Sequence, residues 1–384
     1  MAIFDMKSLL ETLSEMLKLI DRQFLSLLRA GVWDVPVAED LFVASTSWED
    51  LFLLAKEQTV VPFVSDGVEK LVAQTGMDVP REVRKRFAAA VLKTEMRNAR
   101  MDEFALKLVS RMEAAHIPVF VVKGQGVARY YPVPIRRQSG DIDLLVRRDD
   151  YERACDFLLP HASRVEEELD YLLHQGMFFG NYEVEVHGDL DPELSDRMHR
   201  SLIRFQEKLF AEGGRHLPIG EQSLPVPTRE FDALYILLHL YHHFYHEGLA
   251  VRQILDWGMC LRAGGFDLTK LDAMIREAGV DYIWQIFGHF AVEMLGFREE
   301  DIPFYDKHFR SRSLLVWDFV RESGNFGKKI RLERGEQAYL VKKLHSFWLY
   351  LGVFARNFRM APRDTMRITG SYLATAFRKL KKGV

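Results

Sequence analysis

A chain of 384 residues, 48% of them hydrophobic and 28% charged, is long enough for two or three domains around a sizeable core. A formal net charge of -3 argues against a protein that coats nucleic acid through a general basic surface, which makes a long nucleic acid an unattractive partner. Two cysteines, Cys155 and Cys260, both in segments that read as helical, argue against a disulfide framework and fit a reducing cytoplasm.

The first residues lack the basic-then-apolar layout of a secretory signal. The most apolar stretch, 233–245, is interrupted by His239, His242 and His243 and is too short to span a bilayer. Over residues 4–28 the apolar positions Leu9, Leu13, Leu17, Ile20, Phe24 and Leu27 recur at helical spacing and predict an amphipathic helix. Helices are expected next at 48–57, with Ser47 as cap, and at 62–74, 82–91 and 93–115.

The period changes at His116-Ile117-Pro118. Residues 119–122, Val-Phe-Val-Val, are a compact β-branched and aromatic run, the mark of a buried strand. Lys123-Gly124-Gln125-Gly126 ends it, and a short helix is expected over 127–131, closed by Pro132 and Pro134. A polar loop, 136–140, leads to a second strand over 141–146, and Asp149 is expected to cap a helix over 151–159. Residues 178–186 supply one more strand, preceded by a weaker one near 164–168. From Thr228 the pattern is helical again, at 231–247, 251–263, 268–278, 282–295 and on to a basic helix end at 377–382. The expected fold is α+β: a small mixed-sheet core at 115–190, between an N-terminal helical region, 1–114, and a C-terminal one, 191–384.

Asp141 and Asp143, one residue apart on a strand, project their carboxylates from the same face, while Ile142, Leu144 and Val146 point into a core. Two carboxylates that close repel each other unless a cation lies between them, and Mg²⁺ takes such hard oxygen ligands. Asp-x-Asp alone is common without a metal. The Gly-rich turn after the first strand could bring backbone close to a phosphate, or serve as an ordinary strand-to-helix turn. Glu183, Glu185 and His187 share a strand face, either as a solvated acidic edge or as the source of a third carboxylate. Three such acids could hold two divalent ions that activate an attacking oxygen and stabilise a leaving pyrophosphate. His239, His242, His243 and His246 lie at three and four spacing on a helix, with Asp256 on the next. A zinc or hydrolase site there would need a convergence the pattern lacks, namely an adjacent His-Asp pair. Lining an acceptor cleft opposite the sheet, with Arg252 and Asp256 reaching toward the site, is the favoured role.

Together, Lys123-Gly124-Gln125, Tyr131-Pro132-x-Pro134 and Arg137-x-x-Gly140-Asp141-Ile142-Asp143-Leu144-Leu145-Val146 resemble the bacterial "uncharacterised nucleotidyltransferase" family of the DNA polymerase β-like nucleotidyltransferase superfamily. Glu185-Val186-His187 is similar to that family's later strand. Trp48 with Ala55-Lys56 and Thr59-Val60-x-Pro62 is similar to its N-terminal helical part, and Leu237-Leu238-His239 with Arg252-Gln253-Ile254-Leu255-Asp256 to its C-terminal part, so the likeness spans about 45–265. The resemblance implies metal-binding, catalytic carboxylates at Asp141, Asp143 and Glu185, and a nucleotide-phosphate turn at Gly124 and Gln125. Gln125 departs from the Gly-Ser or Gly-Gly usual there. Lys123 and Arg137 are implied as phosphate-binding or site-framing cations, Arg137 equally as a salt bridge to Asp141 or Asp143. The implied activity moves a nucleoside monophosphate from an NTP to an acceptor, with two Mg²⁺ ions or Mn²⁺ in their place. The acceptor class stays open among a small molecule, a sugar, a peptide, a protein and an RNA end. The alternatives are a nucleotide- or partner-binding protein without turnover and a kinase on the same fold.

Overall fold

The computed structural model describes residues 17–166, 173–190, 194–246, 248–324 and most of 354–370. The expected helix over 4–28 falls partly outside them, and the basic end at 377–382 entirely so. Helix α1, Leu19–Trp33, buries Phe24, Leu27 and Leu28 as the spacing requires. Helices α2 (Trp48–Glu57) and α3 (Val61–Thr75) follow as expected. The two helices read at 82–91 and 93–115 are one, α4, Arg81–Ala114. Its apolar phase slips near Leu92, which is exposed, yet no Gly or Pro interrupts a run of strong helix formers.

Strand β1 is Val119–Val122, followed by a five-residue helix α5, Gly124–Ala128, that starts three residues earlier than expected. Strand β2 is Ile142–Val146, and helix α6 is Tyr151–Leu158. Asp149 does not cap α6: a 3-10 turn, Arg148–Asp150, leads into it and Asp150 stands at the cap without a side-chain hydrogen bond. Strand β3 is the pair Arg164–Val165. The single strand expected over 178–186 is a hairpin, β4 (His174–Phe179) and β5 (Tyr182–His187). Its two-residue turn, Gly180-Asn181, has Gly180 at φ 62°, the conformation that favours glycine. After α7 (Asp196–Glu212) comes a second hairpin, β6 (Arg215–Ile219) with β7 (Gln222–Val226). Pro218 and Pro225 inside its strands hide it from a propensity reading. Helices α8 (Arg229–His246), α9 (Val251–Arg262), α10 (Leu268–Ala278), α11 (Asp281–Leu295) and α12 (Ser313–Ser323) complete the described elements.

The main sheet has the order β1-β2-β5-β4-β3 and is mixed: β2 runs parallel to β5, and every other pairing is antiparallel. Strand alternation divides it into two faces. Val119, Val121, Ile142, Leu144, Val146, Met177, Val184 and Val186 form one apolar layer with Met101, Leu108 and Met112 of α4 and Ala154 and Leu158 of α6. On the other face, Val122 and Leu145 join a larger core shared with the helices of both ends of the chain. The acids stand on that second face, between sheet and helices. No helix among the described residues is long and apolar enough to cross a membrane.

Candidate metal and nucleotide site

The parallel β2–β5 pairing sets Asp143 directly beside Glu185, and Asp141 precedes β2 on the same side. One carboxylate oxygen from each of Asp141, Asp143 and Glu185 lies within 4.8 Å of the others, a spacing at which the three could hold a metal ion. The three residues that the sequence suggests as ligands therefore do converge. Asp143 is almost wholly buried, at 1% exposure.

Two cations lie against this acid group. Lys123 Nζ is 2.5 Å from Asp143 Oδ1, and His187 Nε2 is 3.0 Å from the same oxygen and 3.4 Å from Glu185 Oε2. Burial pushes the Asp141 carboxyl up to about 7, and its neighbours Asp143 and Glu185 push the same way. Burial also works to raise Asp143, but Lys123 and the His187 hydrogen bond outweigh it and hold that carboxyl below its ordinary range. Glu185 is likewise held well below it: burial is overcome by the adjoining imidazoles of His174 and His187, with Lys123 adding to their effect. Burial opposes the charge on His187, yet Asp143 and Glu185 raise it to about 9. Lys123 is raised well above its ordinary value because Asp143 overrides its desolvation. Of the three acids it is Asp141 whose charge the surroundings disfavour, and a cation beside it would offset that.

Lys123 reaches its position through an unusual turn. Its φ of 54° and ψ of -134° are rare for a side chain with a Cβ, and strain of this kind costs about 1–3 kcal/mol and clusters at functional sites. Gly124, at φ 24°, carries the chain past β2 so closely that a Cβ on it would lie 3.2 Å from Asp141 O. The Gln125 side chain points into the protein, at 1% exposure, and its Oε1 has no hydrogen-bond partner among the described residues.

Arg137 meets neither Asp141 nor Asp143. Its Nε and Nη2 bond both oxygens of Asp256 on α9 at 2.8 and 2.7 Å, and its Nη1 donates to Ser139 Oγ. Tyr131 donates its hydroxyl to Asp256 at 2.7 Å, and Arg252 donates to Gln138 O at 2.6 Å. From the other side, Asn98 on α4 donates to Ile135 O and Arg137 O, and Arg97 donates to Ser139 O and Gly140 O. The loop that delivers Asp141 is thus clamped between α4 and α9. A model of a protein family described as "Uncharacterised nucleotidyltransferase" matches residues 44–296. The chain belongs to that family. The matched stretch of this nucleotidyltransferase family member holds the turn, the three acids and both clamping helices. No curated protein matches the chain.

Helix α8 lies over the acid face. His239 Nε2 is 3.4 Å from Lys123 Nζ and 2.9 Å from His243 Nε2, while Tyr235 presents its ring 5.8 Å from the same ammonium. The side chain of His246 lies outside the described residues. Sequence reasoning did not select His187 and His174 as site residues. His187 had a signal, two positions after Glu185 on the same strand face. His174 had none, because only the hairpin register places it opposite His187.

Proposed function

We propose that this chain transfers a nucleoside monophosphate from an NTP to an acceptor hydroxyl on a DNA polymerase β-like core, with Asp141, Asp143 and Glu185 holding Mg²⁺ or Mn²⁺. The convergence of three hard carboxylate donors, Asp141 among them with its charge disfavoured, carries the reading. The order of parts supports the superfamily plan: a strand, a strained Lys-Gly turn, an Asp-x-Asp strand, and a third acid on the neighbouring parallel strand. When bound, two divalent ions there would neutralise the triphosphate and stabilise the leaving pyrophosphate. Glu185, on β5 beside Asp143, would assist deprotonation of the acceptor hydroxyl by helping to hold the ion that polarises it as it attacks the α-phosphorus. Lys123, at 12% side-chain exposure, exchanges Asp143 for the phosphates, and the Gly124-Gln125 backbone lines that turn. Arg137 frames the site by fixing the Asp141 loop to α9. His239 and His243 line the acceptor side. Cys155 and Cys260 are both buried thiols, which suits a reducing cytoplasm.

The test is NTP turnover by the full chain with Mg²⁺, reading pyrophosphate release. Asp141→Asn and Asp143→Asn should each lower it by roughly a thousandfold, about 4 kcal/mol of transition-state stabilisation, with unchanged circular dichroism. Undiminished turnover in both variants overturns the proposal. Release of γ-phosphate onto a product instead identifies a kinase, and tight NTP binding without either release identifies a binding protein.

A further inference from the structure

Beside the three acids, on the same sheet face, a second group of different chemistry comes together. His174 of β4 and His187 of β5 are direct cross-strand partners, and their rings stack with centroids 4.7 Å apart and planes 11° apart. His174 Nε2 lies 3.3 Å and His187 Nε2 3.4 Å from one atom, Glu185 Oε2. The residue opposite Glu185 on β4 is Gly176, and the Glu166 carboxylate packs where a Cβ on that glycine would lie.

We propose that His174, Glu185 and His187 form a second cation site that takes a borderline transition ion of the Zn²⁺ or Co²⁺ kind and shares Glu185 with the oxygen-donor site. The spacing fits, and closing on an ion needs only that the two near-parallel imidazoles turn toward it: bonds of about 2.0–2.2 Å to nitrogen and oxygen in tetrahedral geometry put neighbouring ligand atoms about 3.3–3.5 Å apart. Both nitrogen-to-oxygen separations match that edge, and one ligand atom from each residue lies within 4.8 Å of the others. A second, independent observation points the same way. Among the described residues His174 Nε2 makes no aligned hydrogen bond, although the atom is shielded from solvent and Glu185 is within ion-pairing distance. A nitrogen held at that distance without a bond is placed as a ligand would be. Two imidazoles and one carboxylate leave a fourth position open to water or substrate, and imidazole donors favour Zn²⁺ and Co²⁺ over Mg²⁺. The two groups then sort ions by donor type. The oxygen set takes the hard ion, and the histidine set holds an ion that also fixes Glu185. The proposal goes beyond the nucleotidyltransferase reading and touches it through Glu185.

Metal-free full-length protein titrated with Co²⁺ tests it, through the visible d–d absorption that nitrogen ligation in a four-coordinate site intensifies. The wild type should develop that absorption and keep it in excess Mg²⁺. His174→Ala should weaken Co²⁺ binding at least about tenfold. Asp141→Asn, which lies in the oxygen set alone, should leave the Co²⁺ spectrum in place even though NTP turnover falls. An unaltered Co²⁺ titration in His174→Ala overturns the second site. So does displacement of Co²⁺ by Mg²⁺, or equal loss of the spectrum in Asp141→Asn. His174→Gln, checked by circular dichroism, serves if the alanine variant fails to fold, with the same two readings. Turnover that survives Asp141→Asn sinks the nucleotidyltransferase reading alone, so the two failures are distinct.

Discussion

Asp256 and Asp143 are both buried acids, at 5% and 1% exposure, and their surroundings differ in kind. Asp256 is met by a bidentate guanidinium and a hydroxyl, so its charge is cancelled and its oxygens are occupied. Asp143 shares its pocket with two more acids, and its partners Lys123 and His187 come with a strained backbone turn and a raised imidazole. A satisfied buried pair fixes architecture, whereas a cluster that leaves one acid, Asp141, with a raised carboxyl is poised to take a ligand. The difference is one of charge balance, and it separates a structural acid from a candidate functional one.

That contrast can be broken from either side. Arg137→Ala would leave Asp256 buried without its cation and should cost about 3–5 kcal/mol in urea unfolding. A cost near zero would mean that Asp256 is not structural. Tyr131→Phe removes one hydrogen bond to the same carboxylate and should cost about 1.5–3 kcal/mol by the same measurement. On the other side, Asp141→Asn removes a charge the fold does not balance, so in ion-free protein thermal stability should hold or rise while turnover falls. The pH dependence has a definite sign. A carboxyl raised to about 7 contributes stability that is complete below the ordinary carboxyl range and lost as pH climbs through about 7. Chelator-treated protein should lose that contribution between about pH 4 and 7, and Asp141→Asn should flatten the profile by comparison. As the small-effect reference, the surface pair of Arg86 with Glu49 is half exposed on both sides, and Glu49→Gln should cost less than about 1 kcal/mol in the same unfolding experiment.

Local pattern carried far in this chain. Strand alternation in 141–146 and 182–187 was enough to put Asp141, Asp143 and Glu185 on one face and Ile142, Leu144, Val184 and Val186 on the other, because side-chain direction in a strand depends only on its neighbours. Helical spacing located most helices to within a residue or two, and it failed where continuity needed only the absence of a breaker, at Leu92. The β4–β5 hairpin was missed although Gly180-Asn181 marks its turn, since an unbroken apolar and polar run reads as one strand.

What the sequence determined by itself was therefore the element types and the set of acids on a strand face. Only the tertiary structure decided who meets whom. It took Arg137 to Asp256, 119 positions away, and not to the nearby Asp141. It set His174 against His187 through a hairpin register, and it brought His239 to Lys123 across a helix–sheet interface. These pairings depend on where whole elements pack. Packing follows from the summed burial of two apolar faces, and no window of neighbouring residues contains that sum.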